Sequence, residues 1–152
     1  FKALRLAHLV LDYNGTLARD GQLIAGVGER LGRLAETLRI HVLTADTFGT
    51  VHSQVGGISC ELGIISGPDE AQSKLSYISI LGTAAVACVG NGRNDRLMLA
   101  HAALGMALVQ TEGAAIEAIL AADLVGEAWA LTIEEKEALY AATAGAARGR
   151  AR

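Results

Sequence analysis

Leu6-Ala7-His8-Leu9-Val10-Leu11-Asp12-Tyr13-Asn14-Gly15-Thr16-Leu17 joins an apolar run to a carboxylate and then to turn residues. Such a run, closed by a charge and an Asn-Gly pair, reads as a buried strand over 6–12 that delivers Asp12 to its carboxyl end. Five further apolar segments, at 40–44, 61–65, 85–90, 105–109 and 123–125, have the same character. Helical patterns over 27–38, 47–54, 69–81, 95–103 and 112–121 fall between them. This alternation predicts parallel strands joined by crossover helices. The strand runs are almost continuously apolar, as a sheet covered on both faces requires. The expected class is α/β: a three-layer, Rossmann-like parallel sheet with helices on both faces. One more helix is expected from Thr132, where Thr132-Ile133-Glu134-Glu135 has capping-box spacing.

A chain of 152 residues with 51% hydrophobic content is the size of one ordinary domain. We expect a single catalytic domain over 1–146 and a basic flexible tail over 147–152, which carries Arg148, Arg150 and Arg152. Thirteen basic and 16 acidic residues give a net charge of −3, without the basic excess that nucleic-acid binding demands. Arg5, Asp12, Glu117 and Asp123 interrupt the apolar runs well short of the ~20 residues that span a bilayer, so no membrane partner is expected. Phe1-Lys2-Ala3-Leu4-Arg5 leaves no room for a signal-peptide core, and the missing initiator Met points to a trimmed or incomplete start. A cytoplasmic location follows as the expectation. Cys60 and Cys88 suit reduced thiols, and His8, His41, His52 and His101 lack metal-ligand spacing.

Ligands of open parallel sheets bind beyond the carboxyl ends of the strands. Four groups belong there: Asp12 to Leu17 after the first strand, Leu43-Thr44-Ala45-Asp46 after the second, Lys74 near a helix start, and Gly90-Asn91-Gly92-Arg93-Asn94-Asp95 after the fourth. A carboxylate, a hydroxyl, an ammonium and a second carboxylate together make a phosphoryl-transfer site. Asp12 would attack phosphorus and carry an aspartyl-phosphate. Mg²⁺ needs oxygen ligands, for which Asp12, the main-chain carbonyl of Asn14, and Asn91 or Asp95 are the candidates. Thr44 and Lys74 would hold the phosphoryl oxygens, with Gly15 and Ala45 completing the phosphate site. Asp46 is expected to orient its loop, and Arg93 to lie at the surface.

At these residues the chain resembles the haloacid dehalogenase (HAD) superfamily, and most closely the phosphorylation domain of P-type ATPases and their small soluble relatives. Asp12-Tyr13-Asn14-Gly15-Thr16-Leu17 is similar to the ATPase Asp-Lys-Thr-Gly-Thr-Leu, Thr44-Ala45-Asp46 to Thr-Gly-Asp, and the 90–95 segment to Gly-Asp-Gly-x-Asn-Asp. The resemblance spans roughly residues 6–126 and implies a Mg²⁺-dependent phosphohydrolase acting on a phosphorylated substrate. Two positions depart from it. Asn14 stands where most HAD phosphatases carry a second Asp, acid to the leaving group and base to the water, so turnover is expected to be slow. Asn91 replaces a metal-binding Asp. A phosphate-binding or regulatory module with little turnover is the alternative. Between Asp12 and Thr44 there is room for a flap over 18–24, turning at Asp20-Gly21, one helix and one strand, but for neither a cap nor a nucleotide domain. Such an open, capless site suits a bulky substrate or a neighbouring subunit, hence a homo-oligomer.

Overall fold

The computed structural model describes residues 3–45 and 49–127. Strand β1 (His8–Asp12) leads into a hairpin of β2 (Ala18–Arg19) and β3 (Gln22–Leu23), then α1 (Val27–Leu34) and β4 (Arg39–Thr44). After α2 (Thr50–Val55) come β5 (Glu61–Ile64), α3 (Glu70–Leu81), β6 (Val86–Gly90), α4 (Arg96–His101), β7 (Leu104–Val109), α5 (Ile116–Ala121) and β8 (Leu124–Glu127). Six strands form one parallel sheet in the order β5-β4-β1-β6-β7-β8. Sequence order reverses at β1, which pairs with β4 on one side and β6 on the other. That reversal opens a crevice beyond its carboxyl end.

The apolar runs divide residue by residue between two cores, because successive strand side chains point to opposite faces. Leu9, Leu11, Ile40, Val42 and Val89 pack with Val27 and Leu31 of α1 and Val51 and Val55 of α2. Val10, Leu43, Val86 and Cys88 pack with Ile78 of α3, Met98 and Leu99 of α4, and Ala118 of α5. Both faces are thus covered, as expected.

On α3 the buried residues are Ala71, Lys74 and Ile78, at the spacing of one helix face. Asp69 starts this helix by accepting a hydrogen bond from the Gln72 amide at 3.0 Å. A lysine therefore sits in the stripe that faces the sheet.

The elements differ from the sequence reading chiefly at helix ends. The helix expected over 112–121 begins only at Ile116, because Gln110 bridges to Gly113, whose φ of +82° suits glycine, and this turn occupies the intervening residues. The helix expected over 27–38 is regular to Leu34 and continues as tight turns, with the Thr37 amide donating to the Leu34 carbonyl at 3.1 Å. Asp46, the first residues of the 47–54 helix, the helix from Thr132 and the 147–152 tail lie outside the described residues. Among the described residues no helix is long and apolar enough to cross a membrane.

Gly105 fixes how α4 seats on β7, since a Cβ there would stand 2.2 Å from the Leu99 carbonyl oxygen. Backbone cannot give way as a side-chain tip can, so Gly105→Ala is expected to cost about 1–3 kcal/mol or more. Denaturant unfolding of the variant measures it.

Candidate active site

Asp12 is the last residue of β1 and pairs with Leu43, which sets Thr44 one residue further along the same edge. Lys74 reaches between two carboxylates: its Nζ donates to Asp12 Oδ1 at 2.5 Å and to Asp95 Oδ1 at 2.6 Å. All three are buried, and their side chains are 11% exposed at Asp12, 2% at Lys74 and 0% at Asp95. Three residues 62 and 21 positions apart in sequence thus form one charge cluster.

Asp95 ends the 3₁₀ turn after β6, and its Oδ2 accepts the amides of Asn91 at 3.0 Å and Gly92 at 2.9 Å. With Oδ1 on Lys74, both of its oxygens are engaged. Gly90 leaves the space it needs, because a Cβ there would lie 2.5 Å from Asp95 Cγ. Asp95 therefore braces the loop and the lysine.

The first and last motifs meet at Asn91, whose Oδ1 accepts from the Thr16 hydroxyl at 3.3 Å. A Cβ on Gly15, whose φ is +74°, would stand 2.4 Å from Asn91 Nδ2. The flap is fastened on several sides. Tyr13 Oη donates to the Gly21 carbonyl at 3.0 Å, Gln110 Nε2 donates to the Thr16 carbonyl, Arg19 donates to Thr111 Oγ1, and the Leu23 amide donates to Gln54 Oε1 at 3.3 Å. Asn14 and Ala45 are exposed, whereas Thr44 is buried. Asn94 Nδ2 donates to Glu70 Oε2 at 2.6 Å, and Arg93, 74% exposed, pairs with Glu117 at 2.7 Å.

Among the described residues, Asp12 and Thr44 lie at strand ends on this one edge of the sheet, Asn14, Gly15, Ala45, Asn91 and Asp95 in the turns and loops beyond it, and Lys74 reaches it from α3. Thr16, Gln110 and the Glu70–Asn94 pair carried no role in the sequence reading. Thr16 stood inside the quoted motif, but its partner lies 75 residues away. Nothing local marks such a contact.

Two carboxylates against one ammonium leave the cluster one negative charge in excess. Burial, and next the charge of Asp95, push the Asp12 carboxyl up to about 7, against the opposing pull of Lys74. Burial pulls the Lys74 ammonium down, but Asp12 and Asp95 outweigh it and hold the group above its ordinary range. A surplus negative charge among oxygen donors suits a hard divalent cation such as Mg²⁺. The Asp12 carboxylate, the Asn14 carbonyl and the Asn91 amide oxygen would hold it. No group of three or more His, Cys, Asp or Glu among the described residues is arranged for a metal, so such a site needs these neutral oxygens.

No protein-family model matches the sequence. An uncharacterized protein of Methanocaldococcus jannaschii, MJ0072, is 51% identical over 39 residues, which are 26% of this chain and 89% of that protein. Among solved structures, one described as a HAD family hydrolase from Streptomyces avermitilis is 18% identical with a TM-score of 0.65, over 80% of this chain and 75% of its own. The 3-deoxy-D-manno-octulosonate 8-phosphate phosphatase of Moraxella catarrhalis, solved with magnesium and phosphate ions, is 13% identical with a TM-score of 0.67, over 82% and 78%. A zinc-transporting PIB-type ATPase is 24% identical with a TM-score of 0.56; the match covers 68% of this chain but 17% of the pump. With its six-stranded parallel sheet and its motif loops gathered on one edge, this chain has the fold of the haloacid dehalogenase superfamily.

Proposed function

We propose that this chain is a Mg²⁺-dependent phosphohydrolase that passes the phosphoryl group through Asp12 and turns over slowly for want of a second acid at Asn14. One observation carries the reading. Of the three charges buried together, Asp12 has the most exposed side chain, at 11%. Lys74, itself anchored by Asp95, holds it in place, and Asp12 meets the substrate.

In the first step an Asp12 carboxylate oxygen bonds to phosphorus as the ester P–O bond breaks. The departing oxygen takes its proton from water, because the Asn14 amide is no acid at any working pH. Lys74 offsets the charge that gathers on the phosphoryl oxygens. In the second step water adds to phosphorus, the bond to Asp12 breaks, and inorganic phosphate leaves with the carboxylate restored. Magnesium, bound by Asp12, Asn14 and Asn91, would neutralise phosphoryl oxygens throughout. The magnesium and phosphate ions with the Moraxella enzyme support a role for magnesium on this fold. Thr44, at the end of β4, and the amides of Gly15 and Ala45 complete the phosphate site.

The short segments flanking β4 support a capless site screened by the flap, open to a bulky phosphorylated substrate or a second copy of the chain. Two free cysteines, Cys60 and Cys88, fit a reducing, cytoplasmic setting.

General acid–base catalysis contributes roughly 10²–10⁴-fold. Asn14→Asp is expected to raise aryl-phosphate hydrolysis towards that range in Mg²⁺, and to leave the magnesium-free rate at background. An unchanged rate in Mg²⁺ would count against Asn14 as the limiting position. The engagement of both Asp95 oxygens favours a second reading, a module that binds phosphate with little turnover. In that case beryllofluoride with Mg²⁺ would bind while neither the native chain nor Asn14→Asp hydrolyses ester.

A further inference from the structure

His8 of β1, His41 of β4 and Tyr77 of α3 form a hydrogen-bonded chain on the α3 side of the sheet. His8 Nδ1 lies 3.0 Å from His41 Nε2, and His41 Nδ1 lies 3.0 Å from the Tyr77 hydroxyl. The Glu61 carboxylate of β5 stands 3.6 Å from the same Nδ1. His41 is 1% exposed, His8 is half-buried and Glu61 is exposed. Tyr77 lies over Gly63, where a Cβ would come 3.1 Å from its ring.

Two nitrogens facing each other at this distance share one proton and cannot both carry one. Where the Tyr77 hydroxyl donates to His41 Nδ1 in the neutral chain, His41 carries its hydrogen on Nε2 and donates to His8 Nδ1. If His8 gains a proton, its Nδ1 becomes a donor and His41 must move its own hydrogen to Nδ1. If His41 gains it, both of its nitrogens carry hydrogen. Either way His41 Nδ1 turns from acceptor to donor, towards the Tyr77 oxygen and the Glu61 carboxylate.

We propose that His8, His41 and Tyr77 are a one-proton switch on α3, in which a single proton reverses the bond between His41 and Tyr77 and turns His41 towards Glu61. The groups facing His41 are His8 from β1, Arg39 from its own strand, Glu61 from β5 and Tyr77 from α3. Burial holds the His41 imidazole below its ordinary range against the pull of Glu61, with His8 and Arg39 reinforcing the shift. Burial, with Glu61 adding to it, holds the Tyr77 phenol above its ordinary range and so keeps it protonated, able to donate or to accept. The unfolded chain takes up the His41 proton near pH 6.5, and the folded chain only at lower pH. The contribution of His41 to stability therefore falls as pH drops below about 6.5 and levels off above it, opposite in sign to that of the raised Asp12 carboxyl. The helix so held also carries Lys74, one turn before Tyr77.

Imidazole ¹⁵N–¹H spectra of the full chain, followed between about pH 5 and 8, test the switch. At high pH His41 is expected as the Nε2–H tautomer. On acidification it gains a hydrogen at Nδ1 while His8 and His41 together bind one proton rather than two. Tyr77→Phe removes the donor and is expected to shift His41 to the Nδ1–H tautomer already at high pH. Two independent protonations with no tautomer change would overturn the proposal, as would a His41 tautomer indifferent to Tyr77→Phe. The native titration decides alone should the variant fold poorly.

Discussion

Asp12→Asn is expected to abolish phosphate-ester hydrolysis, lowering kcat by at least about 10³-fold, because an amide oxygen cannot act as the nucleophile that the carboxylate supplies. The effect should be on the chemical step rather than on folding. Lys74 keeps its bond to Asp95, 2.6 Å away, and Asp95 keeps its bonds to the Asn91 and Gly92 amides. Relieving the repulsion between two buried carboxylates even works in favour of the folded state. A variant that unfolds at the native denaturant concentration or above, yet is inactive on aryl phosphate, is the predicted outcome. Full activity in that variant would remove Asp12 from the mechanism.

Lys74→Met is expected to lower stability by about 3–5 kcal/mol, the range for removing one partner from a buried ion pair. Its Nζ is the shared partner of Asp12 and Asp95, and deleting it leaves two carboxylates buried side by side. Protonation would be forced on one of them, and the brace between β1, α3 and the loop after β6 would be lost. Adding Asp95→Asn to Lys74→Met should restore part of the loss, since neighbours in one network are not additive. Urea unfolding of the two variants measures both quantities. A Lys74→Met protein within about 0.5 kcal/mol of the native chain, as for an ordinary surface change, would contradict the cluster.

Much of the fold was legible because burial on both faces forces near-continuous apolar strands, and the 6–17 segment shows one of these ending on a carboxylate. The site residues were legible as four loop signals in a fixed order. What they do to one another was not. Asp95 could be read as a candidate metal ligand, but the hydrogen bonds of its two oxygens to Lys74 and two loop amides could not, because they result from how the 3₁₀ turn folds back. His8 and His41 lie 33 residues apart and Tyr77 a further 36 along, without motif or periodicity to join them. Only parallel pairing, which sets His41 against Val10, brings those histidines to one face. The late start of α5 had a local sign, Gly113, outweighed by the apolar run that follows it.

The central claim is that Asp12 carries the phosphoryl group. Incubating the full chain with Mg²⁺ and a reactive phosphate donor such as acetyl phosphate, quenching in acid and mapping peptides by mass tests it directly. The peptide containing Asp12 is predicted to gain the mass of one phosphoryl group, to persist because Asn14 cannot activate water, and to lose the adduct in Asp12→Asn. Steady hydrolysis with no adduct on that peptide, or an adduct that survives Asp12→Asn, would contradict it.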